Sequence, residues 1–244
     1  MLTQYRLTLT ADGPLKPSAE WGYRLYSSLL AQAPSAFGAM VHTDRITPVS
    51  QYLFCDGGAP VWTVNLLGSE AEAALTELLE TQAVFRLEKH DVWLEVACRE
   101  RRSVAGVEEL FLQAETCSGL HRLRFQTPTA FKSRGQYLNL PTARLLVQNL
   151  VNKWNGCISE CPIEDTDGLG LDALARGLVW GEFALRSENY YLKGQRIPGF
   201  TGNIAVENRL SGFHRQLANA LVLFSSFAGV GIKTALGMGG VEVK

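Results

Sequence analysis

An order of strands and helices that occurs twice constrains this chain more than any other feature. The first half opens with Tyr5-Arg6-Leu7-Thr8-Leu9-Thr10, whose period of two predicts a strand. A helix is predicted next, with Ser18 as its cap, Glu20 in its first turn and Trp21, Leu25 and Leu29 on one face. Runs 49–54 and 61–67 read as strands around the turn signal Asp56-Gly57-Gly58. Ser69-Glu70-Ala71-Glu72 has the spacing of a capping box and opens a second helix that uses Leu75, Leu78 and Leu79. Runs 83–87 and 92–98 supply closing strands.

The second half repeats this order more loosely. Residues 120–127 read as a strand and 142–154 as a helix, followed by two long strands, 178–191 and 196–206, joined near Lys193-Gly194. Leu210, Phe213, Leu217, Leu221 and Phe224 mark the apolar stripe of a last helix, and 241–243 a short last strand. Each half thus reads β-α-β-β-α-β, the ferredoxin-like split unit. The expected fold class is α+β, with two ferredoxin-like domains in tandem, 1–110 and 111–244, joined around 100–118 without a low-complexity linker. A chain of 244 residues has room for two such cores. This superfold hosts many activities, so function must be argued from sites.

The tail supplies a site. Gly229-Val230-Gly231 and Gly237-Met238-Gly239 flank five residues that include Lys233. Glycine permits positive φ and close backbone approach. A loop of this kind can turn amide N–H groups toward an anion, with the lysine adding charge. Lys233-Thr234 follows Ile232 rather than a glycine, which excludes a P-loop. No third glycine, helix and strands follow at dinucleotide-fold spacing. The plain alternative is a tight hairpin that ends the fold.

A net charge of −1 speaks against nucleic acid until its distribution is examined. Stretches 46–85 and 158–175 each hold five acids and no Lys or Arg; outside them 23 basic residues face 14 acidic ones. Residues 119–157 carry Arg122, Arg124, Lys132, Arg134, Arg144 and Lys153 and no acid. A segregated basic face attracts polyanions even on a near-neutral protein. Five cysteines, an odd number, fit a reducing cytoplasm, and Cys157-x3-Cys161 lacks a second pair at metal spacing. No apolar run approaches the length of a membrane span, and the polar start is unlike a signal peptide.

The glycine tail closely resembles the glycine-rich loop of the CRISPR-associated endoribonucleases that process precursor CRISPR RNA at its repeats, members of the RAMP superfamily. Three further segments carry the resemblance, which spans most of the chain. Met40-Val41-His42 resembles that family's hydrophobic-His position, Phe125-Gln126-Thr127-Pro128-Thr129-Ala130-Phe131 its Ser/Thr-Pro-Thr-x-Phe segment, and Gly199-Phe200-Thr201-Gly202 the turn before its penultimate strand.

The resemblance implies metal-independent cleavage that leaves a 2′,3′-cyclic phosphate and a 5′-hydroxyl. The nucleophile would be the ribose 2′-hydroxyl, so neither a protein nucleophile nor a metal or other cofactor is called for. A base, an acid for the leaving 5′-oxygen and positive charge on the phosphate are required. His42 fits as base or acid, since an unperturbed imidazole titrates near ~6.5. Tyr26, on the first helix, would orient phosphate or ribose, with Tyr23 and simple packing as the other readings. No lysine follows His42 within ten residues, a departure from the Tyr-His-Lys set common in the family; Arg45 is the nearest cation and acts only electrostatically. Gly229, Gly231, Lys233, Gly237, Gly239, Lys132, Arg134, Lys193 and Arg196 are the expected RNA contacts. His90, His121 and His214 are given no role. The implied partners are CRISPR repeat RNA, as precursor and mature guide, and subunits of an interference complex in cytoplasmic antiviral defence. No membrane partner is expected, and monomer and homodimer both remain open. The alternatives are a non-cleaving RAMP subunit that holds guide RNA and, more distantly, a small-molecule phosphate or nucleotide enzyme.

Overall fold

The computed structural model describes residues 1–11, 18–43, 46–87 and 92–244, with His42 and Thr43 by backbone alone. The first half comprises β1 (Leu2–Thr10), α1 (Trp21–Leu30), α2 (Ser35–Thr43), β2 (Val49–Asp56), β3 (Ala59–Leu67), α3 (Ser69–Thr81), β4 (Val84–Leu87) and β5 (Val92–Val104). Its antiparallel sheet has the order β2-β3-β1-β5-β4, a ferredoxin-like sheet with β4 added at one edge. Alternation along β1 does what a period of two requires. Tyr5, Leu7 and Leu9 are fully buried, packed with Leu25 and Leu29 of α1 and Leu75 and Leu79 of α3. Burial stabilises by roughly 1.5–3 kcal/mol for each such leucine. The intervening side chains face the second half: Gln4 Nε2 donates to Ser226 O (3.0 Å) and Arg6 Nη1 to Glu242 Oε1 (2.8 Å).

The second half comprises α4 (Val107–Thr116), β6 (Leu120–Thr129), β7 (Phe131–Ser133), β8 (Gln136–Leu138), α5 (Ala143–Cys157), α6 (Leu169–Gly177), β9 (Leu178–Leu192), β10 (Gln195–Asn208), α7 (Gly212–Ala228) and β11 (Val241–Val243). The sheet order β11-β6-β10-β9, antiparallel throughout, is again ferredoxin-like. Thr142 caps α5, its Oγ1 accepting from Leu145 N at 3.2 Å. The expected join at 110/111 falls within α4, whose Leu110 and Ala114 are buried in the core that includes α7.

Several local expectations are corrected. α2, α4, α6 and the β7–β8 hairpin were not anticipated from periodicity. Ser18 offers α1 its backbone carbonyl (Trp21 N to Ser18 O, 3.0 Å), and the helix N-cap, Glu20, makes no side-chain cap bond. The capping box at Ser69 does not form: Gly68, at φ 101°, is the N-cap, and Glu72 instead accepts a hydrogen bond from Thr3 Oγ1. β5 continues past Cys98 because β1 pairs with it as far as Val104, so Arg99, Arg101 and Arg102 lie in a strand. Phe213, expected on the apolar stripe of α7, is 64% exposed.

Candidate nucleic-acid cleft

The glycine tail stitches the two halves together. After α7, Val230 N donates to Gly239 O (2.9 Å), so the two triplets pair with each other. Ile232 N donates to Ala130 O (2.9 Å), Gly239 N to Pro128 O (3.1 Å) and Gly240 N to Thr127 Oγ1 (2.9 Å). The loop thus docks on the Thr-Pro-Thr-x-Phe segment, which gives two sequence motifs one structural purpose. It also reaches the first half: Gln51 Nε2 of β2 donates to Ala235 O (3.0 Å), and Ala235 packs in the core of that half. A Cβ on Gly231 would lie 2.3 Å from Ala130 O, and one on Gly240 2.2 Å from the Tyr52 ring, so no larger residue fits this dock.

This docking changes how the loop meets an anion. The amides of residues 229 to 232 and 238 to 240 have intramolecular acceptors. The loop therefore offers chiefly shape and side chains, not a row of free N–H groups. Its centre holds Lys233 at φ 56° and a 3-10 turn, Thr234–Leu236.

Between this loop, α1, the end of α2 and α5 lies a cleft of about 600 Å³. Lys153, Lys193, Lys233, Thr234, Asn149 and Tyr26 line it, and no acid does among the described residues. Val41, the residue before His42, also lines it. Tyr26 is 3% exposed, and among the described residues its hydroxyl has no hydrogen-bond partner. Burial raises its pKa, so this phenol remains a neutral donor across the physiological range. Asn149 of α5 anchors the loop, Oδ1 accepting from Gly231 N at 2.7 Å and Nδ2 donating to Gly231 O at 3.3 Å.

Lys153 is the least expected member. It occupies the buried face of α5 with Leu146, Leu150 and Trp154. Its Nζ donates to Ala228 O (2.8 Å), Gly229 O (3.3 Å) and Thr234 Oγ1 (2.8 Å). Two of these acceptors are carbonyls at the C-terminal end of α7, where the helix dipole favours a cation. Desolvation pushes its pKa down to about 7, opposed by the nearby Cys157 thiol. The sequence did carry a signal here: a lysine in the apolar stripe of an amphipathic helix has to be partnered.

The remaining expected residues are dispersed. Tyr26, Gly231, Lys193 and Lys233 share the cleft. Lys132 and Arg134 lie on the exposed β7–β8 hairpin, Lys132 Nζ 5.8 Å from the Tyr137 ring centre. Arg196 is exposed on β10, opposite Tyr191. Gly229, Gly237 and Gly239 shape the loop from behind; a Cβ on Gly237 would meet Tyr190 Oη at 2.5 Å. His42 is the penultimate residue of α2, not a loop or strand residue; its side chain, all of Arg45 and all of His90 lie outside the described residues. His121 is buried and bonded to Asn219 Oδ1 (2.9 Å).

Two ferredoxin-like halves are thus joined by a docked glycine-rich loop. The sequence model of the CRISPR-associated endoribonuclease Cas6 family matches residues 123–241. The Cas6 endoribonuclease of Mycobacterium tuberculosis is 28% identical over 250 residues, covering 100% of this chain and 78% of the relative. That of Streptococcus thermophilus is 24% identical over 229 residues, covering 93% of each. Among solved structures, a Cas6 product complex superposes with a TM-score of 0.78 at 23% identity, covering 100% of this chain and 99% of the other. A RAMP protein described as binding different RNA substrates superposes at 0.62 and 14% identity, with 100% and 99% coverage. In sequence and fold the chain is similar to the CRISPR-associated endoribonucleases of the Cas6 family.

Proposed function

We propose that this chain cuts precursor CRISPR RNA within its repeats without a metal, by attack of the 2′-hydroxyl on the adjacent phosphate, leaving 2′,3′-cyclic phosphate and 5′-hydroxyl ends. The observation that carries this reading is the cleft at the end of the His42 helix, lined among the described residues by three lysines, by a tyrosine hydroxyl without a partner and by no acid. A polyanion suits that lining, and no protein nucleophile is required. In this account His42 moves the proton, Tyr26 donates to the phosphate or ribose as a neutral phenol, and Arg45 adds charge. Lys233 and the glycine loop, Lys193, Lys132, Arg134 and Arg196 bind the RNA backbone, with domains 1–110 and 111–244 both contributing. The protein works in the cytoplasm and passes its product to an interference complex. No helix among the described residues is long and apolar enough to cross a membrane.

Backbone strain supports the cationic contacts. Arg134, Lys193 and Lys233 are the non-glycine residues at positive φ among those described, and all three are cations. Arg134-Gly135 and Lys193-Gly194 are the two central residues of tight hairpins, both at positive φ, where asparagine followed by glycine is favoured. Strained conformations concentrate at functional sites. Lys193→Asn is therefore expected to stabilise the protein by up to about 1 kcal/mol while weakening RNA binding several-fold. Thermal melting and filter binding check the two arms; a variant that melts lower and binds equally well contradicts the assignment.

The direct test is incubation of a repeat-containing RNA with the protein in EDTA, followed by analysis of the ends. Cleavage with a cyclic phosphate is the expected result. Tight binding without cleavage would instead favour a subunit that only holds guide RNA.

A further inference from the structure

Thr234 is held from two sides at the wall of the cleft. Its methyl group is wedged against two glycines of the loop: a Cβ on Gly229 would lie 2.9 Å from Thr234 Cγ2, and one on Gly239 3.0 Å. Its hydroxyl oxygen receives Lys153 Nζ at 2.8 Å. A β-branched side chain has few χ1 wells, and these two contacts select one of them. The side chain therefore has a fixed direction before any ligand arrives.

The direction of its proton follows from counting donors. An ammonium group has three protons and no lone pair. Those of Lys153 go to Ala228 O, Gly229 O and Thr234 Oγ1. Thr234 Oγ1 is thus an acceptor in that bond, and its own proton has to be donated elsewhere. Among the described residues Thr234 Oγ1 takes part in this one hydrogen bond, as acceptor, and donates none. The cation behind the oxygen polarises the O–H bond, which makes it a stronger donor to an anion. A phosphate entering the cleft in turn favours the charged form of this lysine, which burial disfavours. Tyr26, buried with no partner for its hydroxyl among the described residues, is a second and independent group in the same cleft.

We propose that the Thr234 hydroxyl fixes a non-bridging oxygen of one RNA phosphate in the cleft, and that Lys153 is the positioning residue that aims it. This rests on the RNA-cleaving reading above. It also gives Gly229 and Gly239 a further purpose, since any side chain at either position would push the threonine off its rotamer.

The test is a methylphosphonate scan of the repeat-containing RNA, one neutral linkage at a time, read as binding affinity. With the wild-type protein, one linkage at the cleft should cost about tenfold. Thr234→Val should bind unmodified RNA about tenfold more weakly and show no further loss at that same linkage. Thr234→Ser, which keeps the hydroxyl and its bond to Lys153, should retain the wild-type pattern. Lys153→Met should lose the sensitivity at that linkage alone, with the rest of the scan unchanged, which a general loss of structure would not produce. If Lys153→Met fails to fold, the contrast between valine and serine at 234 decides. Equal affinity and an unchanged scan for Thr234→Val, in a protein that still cuts the RNA, would overturn this proposal and leave the cleavage reading standing. A wild-type protein with no affinity for the RNA would overturn both.

Discussion

His42→Ala is expected to slow cleavage by at least about 10²–10⁴-fold, the usual contribution of a positioned acid or base, while RNA affinity stays within about twofold. The imidazole is the group in the proposed set suited to exchanging a proton near neutral pH. The Tyr26 phenol, raised in pKa by burial, keeps its proton, and an arginine at 45 stays charged. Lys153, in its charged form, points all three protons at protein oxygens and presents none to the substrate. Binding, in contrast, draws on cations spread over the loop and two hairpins, so loss of one imidazole leaves most of it in place. Single-turnover cleavage beside equilibrium binding separates the two effects. A His42→Ala protein that cuts at the wild-type rate would remove His42 from the mechanism.

Gly239→Ala is expected to destabilise the fold by about 2–4 kcal/mol and to lower RNA affinity sharply. Two causes act together. The residue sits at φ 69°, where an L side chain is strained, and a Cβ would lie 2.0 Å from Val230 O. That oxygen is backbone in the paired stem of the loop, where Val230 N already bonds Gly239 O, so it cannot swing aside. Loss of this pairing frees the loop from Pro128 and displaces Thr234 from Lys153. Gly57→Ala is the control: φ is 56° there, but nothing lies within 4 Å, so only the strain, about 1 kcal/mol, remains. Thermal or urea unfolding of the pair measures the difference. Equal stability of the two variants would show that the loop tolerates movement and is not the staple described here.

The repeated element order was legible because strand alternation and helix periodicity are local signals. β1, β3 and β10 appear where the pattern put them, and β11 matches its three residues. The missed helices are those whose formation depends on partners. α4 amounts to ten residues, and its Leu110 and Ala114 find their burial against a helix some hundred positions later. α2, the helix that carries His42, includes Gly38 and an unbroken apolar run, 39–41, without the 3.6-residue rhythm. In the cleft, Tyr26, Lys193 and Lys233 could be named from their motifs. Lys153 and Thr234 could not, because their roles exist only once α5 lies beneath the loop. The glycines were legible as glycines, but what they accommodate, Ala130 O, Val230 O and the Tyr52 ring, is set by tertiary contact.

The central claim is that the substrate's own 2′-hydroxyl is the nucleophile in this cleft. The most direct measurement compares two repeat-containing RNAs in EDTA, identical except for a 2′-deoxy ribose immediately before the cut. The account predicts that the all-ribose RNA is cut and the deoxy RNA is bound with similar affinity but left whole. Cleavage of the deoxy RNA at the same site, or cleavage only after a divalent cation is restored, would contradict it.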